Sequence, residues 1–346
     1  MIERPYNYKP HPRFFGPGDT YFGIELEVEA PCFDKKAEGL EAAGNPNWCY
    51  AKRDGSLAAA GWEMVTHPIS MNFWLNQSQV ADYHDVPEGT VLTGTYKGVT
   101  YTATMMDSGR VEWEGTVYRS ISAAGKAITG TACNGYKFFG LIPEPNPTTA
   151  FFSLVAKLKD LGYTSHDSGR CGFHVHISKK AFNPDGDIRS PMFFSFKVLV
   201  NGSLFAMLSQ RTSFQYCQQE PVSEYNFCYN NRGRYAACNI TDKTVEVRIF
   251  RGNLREDRLR KNIEAVMAAI EFSKRATDYT PPTDADFVNF VNANAQRFPN
   301  LARYITDHAT QPVEVHEEQT QVPAAPALTA EEQAIGRNGQ ILDDLI

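Results

Sequence analysis

Four short stretches of the chain alternate apolar and polar residues with a period of two. In Gly23-Ile-Glu-Leu-Glu-Val-Glu, the side chains of Ile24, Leu26 and Val28 alternate with those of Glu25, Glu27 and Glu29. Gly172-Phe-His-Val-His-Ile-Ser sets Phe173, Val175 and Ile177 against His174, His176 and Ser178. Thr244-Val-Glu-Val-Arg-Ile-Phe sets Val245, Val247 and Ile249 against Glu246 and Arg248. Gly61-Trp-Glu-Met-Val-Thr-His-Pro carries Glu63 and Val65 on one face and is stopped by Pro68. Successive side chains of a strand point to opposite faces, so each stretch predicts a strand with two distinct faces. Helical spacing governs other segments. Met192–Ser209 is apolar and too long for a strand, and Leu259–Thr277 reads as an amphipathic helix with Ile263, Val266, Met267, Ile270 and Phe272 along one side. A further helix is expected at about Thr148–Leu161. The expectation is an α+β fold: an antiparallel sheet with helices packed on one face and its polar face open.

From Val86 to Ile142 the pattern changes. Turn signals at Lys97-Gly98, Asp107-Ser108-Gly109 and Glu114-Gly115 separate runs rich in Thr, Val and Tyr, which predicts a small β-meander. Ser120 is placed to cap a helix of about two turns, and Asn134-Gly135-Tyr-Lys-Phe-Phe reads as another turn and strand. The stretch is expected to be a self-contained insertion between residues 1–85 and 143–308, which then form one discontinuous body. With Arg119-Ser-Ile-Ser-Ala-Ala-Gly-Lys-Ala-Ile-Thr-Gly and Gly135-Tyr-Lys-Phe-Phe-Gly-Leu, it resembles small modules of phage and bacterial proteins, including those attached to restriction-modification methylases. Five basic residues against four acidic ones give it little charge for nucleic acid, so any such contact is expected only through this insert.

The 346 residues are 42% hydrophobic and 12% aromatic, enough for a sizeable core. The net charge of −6 resides in the last stretch, 309–346, where seven acids face the single base Arg337. That leaves the body neutral and marks 309–346 as an acidic tail expected to be disordered. A neutral body argues against binding nucleic acid by bulk charge. No apolar run approaches the ~20 residues that span a bilayer, so no membrane partner is expected. Seven scattered cysteines without a Cys-x-x-Cys pair encode neither a disulfide framework nor a structural zinc site, which fits a reducing cytoplasm.

The chemistry lies in the polar faces of the four strands. Any one of them alone would read as a half-buried strand with its polar face in water. Paired in one sheet, they gather three to five carboxylates on a face, which is repulsive unless cations sit among them. Carboxylates suit hard Mg²⁺ or Mn²⁺, whereas two histidines two residues apart would suit Zn²⁺. No Gly-x-x-x-x-Gly-Lys-Ser/Thr loop and no Gly-x-Ser-x-Gly elbow is present.

Taken in order, Gly23-Ile-Glu-Leu-Glu, Asp54-Gly-Ser, Glu63-Met-Val-Thr-His-Pro, Gly172-Phe-His-Val-His-Ile-Ser and Val245-Glu-Val-Arg-Ile-Phe-Arg resemble the amidoligase family of glutamine-synthetase-like carboxylate–amine ligases. The resemblance covers nearly all of the body outside the insert, where family members have only a short connection. It implies a glutamine-synthetase-like sheet and an ATP-dependent ligase that joins a carboxylate to an amine through an acyl phosphate, with a peptide or protein among the conceivable targets. It assigns Glu25, Glu27, His174 and Glu246 to two Mg²⁺ or Mn²⁺ ions. Glu63 becomes a ligand or an amine-side carboxylate, and Glu29 extends the row. His176 faces ATP phosphate and Arg248 stabilises the transferring phosphoryl charge. Arg232 and Arg234, with Asn239, fall where such enzymes bind phosphate or carboxylate, and Asp54 is a candidate for the incoming amine. Two other readings stay open: a metal-dependent hydrolase, and a phage structural or binding protein with a vestigial ligase site.

Overall fold

The computed structural model describes residues 14–16, 20–43, 48–75, 86, 88–106, 109–131, 133, 135–141, 147–165, 171–220 and 235–308. The tail 309–346 and the arginines Arg232 and Arg234 lie outside the described residues. The chain divides into two compact units, residues 1–75 with 150–346, and residues 76–149. The expected insertion, 86–142, falls within the second.

The first unit opens with β1 (Tyr21–Glu29), α1 (Phe33–Ala43), β2 (Cys49–Lys52), β3 (Gly61–Thr66), β4 (Ile69–Ser70) and α2 (Met71–Leu75). The second contains β5 (Val91–Tyr96), β6 (Val99–Met105), β7 (Val111–Trp113), β8 (Thr116–Tyr118), α3 (Ile121–Thr129) and α4 (Gly135–Phe138). The chain returns to the first unit along α5 (Pro147–Asp160), followed by β9 (Gly172–Ser178), α6 (Pro191–Val200), α7 (Ser203–Ser209), β10 (Cys238–Ile240), β11 (Thr244–Arg251), α8 (Glu256–Ser273), α9 (Asp284–Ala293) and α10 (Pro299–His308). The fold is mixed α+β with antiparallel sheets.

The main sheet runs β10-β11-β9-β1-β3-β2, with β4 also pairing with β1, and every pairing is antiparallel. Phe22, Ile24, Leu26 and Val28 of β1, with Phe173, Val175 and Ile177 of β9 and Val245, Val247 and Ile249 of β11, enter one core with the buried faces of α5 to α10. Burial of that apolar face is the main stabilising term, at about 25 cal/mol per Å². Local chemistry sets the helix starts: Ser190 Oγ accepts from Phe193 N at 3.1 Å ahead of Pro191, and Thr283 Oγ1 accepts from Asp286 N at 3.2 Å. The apolar run expected as one helix over 192–209 is two helices bent by 55° at Asn201-Gly202. Asn201 turns its side chain back onto Lys197 O at 2.9 Å and accepts Glu220 N at 2.8 Å, so the break is a buried junction for the 211–220 loop. Among the described residues no single helix is long and apolar enough to cross a membrane.

In the second unit β5-β6-β7-β8 form an antiparallel meander over a small core of Leu92, Ala103, Met105, Val111, Ile121, Ala124, Ile128 and Phe139. Its hairpins close at Lys97-Gly98 (φ 49° and 80°) and Glu114-Gly115 (φ 50° and 78°), the paired positive φ values of a tight two-residue turn. Ser120 caps α3 through Ala123 N at 3.2 Å. The strand expected after Asn134-Gly135 is instead the short helix α4. Gly135 N donates to Ser122 Oγ at 3.1 Å, and a Cβ there would stand 2.2 Å from Ile121 O. Glycine thus lets this segment dock on the first turn of α3, where Phe139 N closes onto Gly135 O at 2.9 Å as a helical turn.

Candidate metal centre

Sheet register decides which polar side chains meet. Across the ladders Glu27 faces Glu63, Glu63 faces Lys52, Glu25 faces His174, His176 faces Glu246, and Glu246 faces Asn239. Four strands therefore deliver Glu25, Glu27, Glu63, His174, His176 and Glu246 to one patch of the sheet face opposite the helices. The face is not open as expected: these six residues are between 1% and 5% exposed.

The distances are those of an ionic cluster. His174 Nδ1 is 3.4 Å from Glu25 Oε2 and 3.6 Å from Glu246 Oε1, while its Nε2 is 4.0 Å from Glu27 Oε1. His176 Nε2 is 3.6 Å from Glu25 Oε1 and 3.7 Å from Glu246 Oε1. Three groups offer donor atoms that all lie within 4.8 Å of one another: Glu25 with Glu63 and His174, Glu25 with His176 and Glu246, and Glu27 with Asp54 and Glu63. Sharing of Glu25 and of Glu63 between groups makes one continuous donor array. His176, expected at phosphate, stands in one of these groups as fully as His174 does.

A cation closes the cluster at each side. Arg248 Nη1 donates to Glu246 Oε1, and Asn239 Nδ2 donates to Glu246 Oε2 at 2.9 Å. Asn239, expected to bind substrate phosphate or carboxylate, here donates to a carboxylate of the array. On the β2 side Lys52 Nζ is 3.0 Å from Glu63 Oε2 and 3.8 Å from Glu25 Oε1. Lys52 escaped the sequence reading because β2 has four residues, too few to show a period, yet its place two residues before Asp54 on a strand was a usable signal. Glu29 is half-buried at the end of β1, bridged through its backbone to Thr164, and joins none of the three groups.

Position also sets the electrostatics. Burial alone would raise the Glu25 carboxyl, but Lys52 and the two histidines hold it well below the usual carboxylate range. Glu246, likewise buried, is drawn down to about 2 chiefly by Arg248 and then by His176 and His174. Burial pushes Glu63 well above its ordinary value, helped by Glu25. Burial also raises Glu27, against His174 and the N–H of Gly172, which donates to Glu27 Oε2. Four carboxylates thus share the patch with two permanent cations, Lys52 and Arg248. The acids outnumber the permanent cations in a buried place, where an unpaired charge costs several kcal/mol. Protons or divalent cations would balance the excess, and the raised carboxyls of Glu27 and Glu63 favour keeping protons where no metal is bound. Carboxylate oxygens, joined by one imidazole in two of the three groups, make a donor set that fits Mg²⁺ or Mn²⁺.

Residues 53–142 match the model of a protein family of unknown function, DUF2924. The matched stretch takes in Asp54 and Glu63 but not Glu25, Glu27, His174, His176 or Glu246, and its description carries no activity. No curated protein matches the chain at a significant level.

Proposed function

We propose that the protein is an ATP-dependent carboxylate–amine ligase built on a glutamine-synthetase-like sheet. One observation carries the reading: the six acidic and imidazole side chains that the sequence distributes over four strands converge in one buried array in which carboxylates outnumber the permanent cations Lys52 and Arg248. A carboxylate is a poor electrophile, and activation by phosphoryl transfer needs charge stabilisation rather than covalent help. Glu25, Glu63 and His174, and Glu25, His176 and Glu246, would hold the divalent ions. Such ions neutralise phosphate oxygens when bound. Arg248 anchors Glu246 through Nη1, while its buried Nε has no hydrogen-bond partner among the described residues. That donor is available to charge developing on a transferred phosphoryl group. In the reaction the substrate carboxylate oxygen attacks the γ-phosphorus, and ADP leaves. The amine nitrogen then attacks the acyl carbon of the mixed anhydride, the bond to phosphate breaks, and one amine proton is lost. Asp54, grouped with Glu27 and Glu63, lies on the side of the array away from Arg248 and suits the amine.

The test is ADP release from Mg²⁺-ATP in the presence of a cell extract resolved into acid and amine fractions, with products read by mass spectrometry. Release that requires both fractions, with a new amide in the products, supports the ligase. Bond cleavage by the metal-loaded protein without ATP overturns it in favour of a hydrolase.

A further inference from the structure

Beside the array, between α1 and the β2–β3 loop, lies a cavity of about 280 Å³ lined by Lys36, Arg53, Asp54, Leu57, Ala58 and neighbouring small residues. Its charges are arranged unevenly. Arg53 is exposed and makes no hydrogen bond or ion pair with any other described residue. Lys36 donates to Ala59 O at 2.6 Å and Gly61 O at 3.2 Å, which fixes its ammonium at the wall. Burial and then the nearby Arg53 charge pull Lys36 below its ordinary value, so the two cations sense each other. The third charged group, Asp54, is half-buried and its carboxylate belongs at once to the cavity and to the group with Glu27 and Glu63. One Asp54 oxygen is held by Ser56 N at 2.6 Å, which orients the carboxylate in the loop.

We propose that this cavity is the subsite for the amine co-substrate and that the co-substrate is a free α-amino acid, its carboxylate held by Arg53 and Lys36 and its ammonium by Asp54. A simple amine would leave the Arg53 guanidinium without an anion to meet, and a simple acid would leave Asp54 opposed to it. A zwitterion matches both. The volume lies just below the ~300–1,000 Å³ of small-molecule sites, which fits a single amino acid rather than a folded chain. The placement follows from the loop: Asp54 reaches the array only because β2 ends at Lys52 and the chain turns there, so the ammonium site and the donor array share one wall. The inference rests on the ligase reading for the fate of the amine, but the binding it asserts is separable from it.

The experiment is calorimetric titration of the full chain with each of the twenty L-amino acids, in metal-free buffer and with Mn²⁺, with Mn²⁺ affinity measured separately. For an amino acid that binds, its decarboxylated amine and its deaminated acid are titrated too; for alanine these are ethylamine and propionate. The expected result is binding that needs both charged groups and weakens about tenfold or more in Arg53→Glu, the loss of a charge-assisted contact. Arg53 is exposed, so the variant is expected to keep its thermal unfolding midpoint. Failure of every amino acid to bind, equal binding of the bare amine, or unchanged binding in Arg53→Glu overturns the subsite. If an amino acid binds as described but Mn²⁺ does not bind at all, the ligase reading falls and the subsite stands.

Discussion

Lys52 Nζ stands 3.0 Å from Glu63 Oε2, directly across the β2–β3 ladder, and 3.8 Å from Glu25 Oε1. The ammonium occupies the side of a carboxylate array away from the Arg248 guanidinium, and both cations sit at the rim with side chains 15% exposed. Opposite charges at the rim hold the buried acids in place without filling the centre.

Removing Lys52 leaves Glu63 and Glu25 without their nearest permanent cation. Breaking a buried pair from one side costs about 3–5 kcal/mol. Lys52→Met is therefore expected to unfold at a lower temperature than the parent in metal-free buffer, and Mn²⁺ is expected to restore more of that loss than it adds to the parent. Scanning calorimetry with and without Mn²⁺ reads both effects. An unchanged metal-free midpoint would show that the array does not depend on Lys52.

Metal uptake is expected to release protons. Glu63 and Glu27 are raised by burial and so hold protons to higher pH than ordinary carboxyls, whereas a ligand must be ionised. Competition between proton and metal makes binding tighter as pH rises through the range where these two groups ionise, and weaker as it falls. Titrating Mn²⁺ at about pH 6 and pH 8 in buffers of different ionisation enthalpy counts the protons. Zero release at both pH values contradicts the raised carboxyls of Glu27 and Glu63.

Gly172 is the residue that the array can least exchange. A Cβ there would stand 2.7 Å from His174 Nε2 and 3.0 Å from Arg211 Nη2, and Gly172 N also donates to Glu27 Oε2. Arg211 is itself fixed by Ile249 O and Phe250 O at 3.0 Å each, so His174 is the group that must move. Gly172→Ala is expected to fold and to bind Mn²⁺ roughly 10–100-fold more weakly, the usual cost of disturbing a ligand's support. Equal Mn²⁺ affinity in the two proteins would remove His174 from the ligand set.

Glu246→Gln and Arg248→Ala are expected to fail differently. The first removes a charged ligand and should weaken Mn²⁺ binding together with turnover. The second should lower turnover by about 10²–10³-fold through the lost donor to developing charge. Kinetics against ATP concentration separate the two, since an Arg248→Ala effect confined to the apparent KM would assign the residue to ground-state binding.

Much of the array can be read from the chain because a strand's period of two is a local property. Ile24, Leu26 and Val28 have only one way to be buried together, and that way puts Glu25, Glu27 and Glu29 on the opposite face whatever surrounds the strand. The same holds for His174 with His176 and for Glu246 with Arg248. The α3 helix with its Ser120 cap and the two Gly-containing hairpins of the second unit were legible for the same reason, since capping and turn chemistry act over a few residues.

What required the tertiary structure was every relation between segments. Strand order β10-β11-β9-β1-β3-β2 puts Lys52 opposite Glu63 and Asn239 opposite Glu246, and no local period contains that order. The helix in place of a strand at Gly135–Phe138 arose because a glycine allows contact with the backbone of Ile121, a neighbour in space rather than in pattern. The bend at Asn201-Gly202 is tied to Glu220, which lies 19 positions along the chain and donates its N–H to Asn201 Oδ1. Burial of the acids is likewise collective: alternation says which face a carboxylate occupies, but only the packed sheet decides that the face is shut off from water and that its charges must be balanced there.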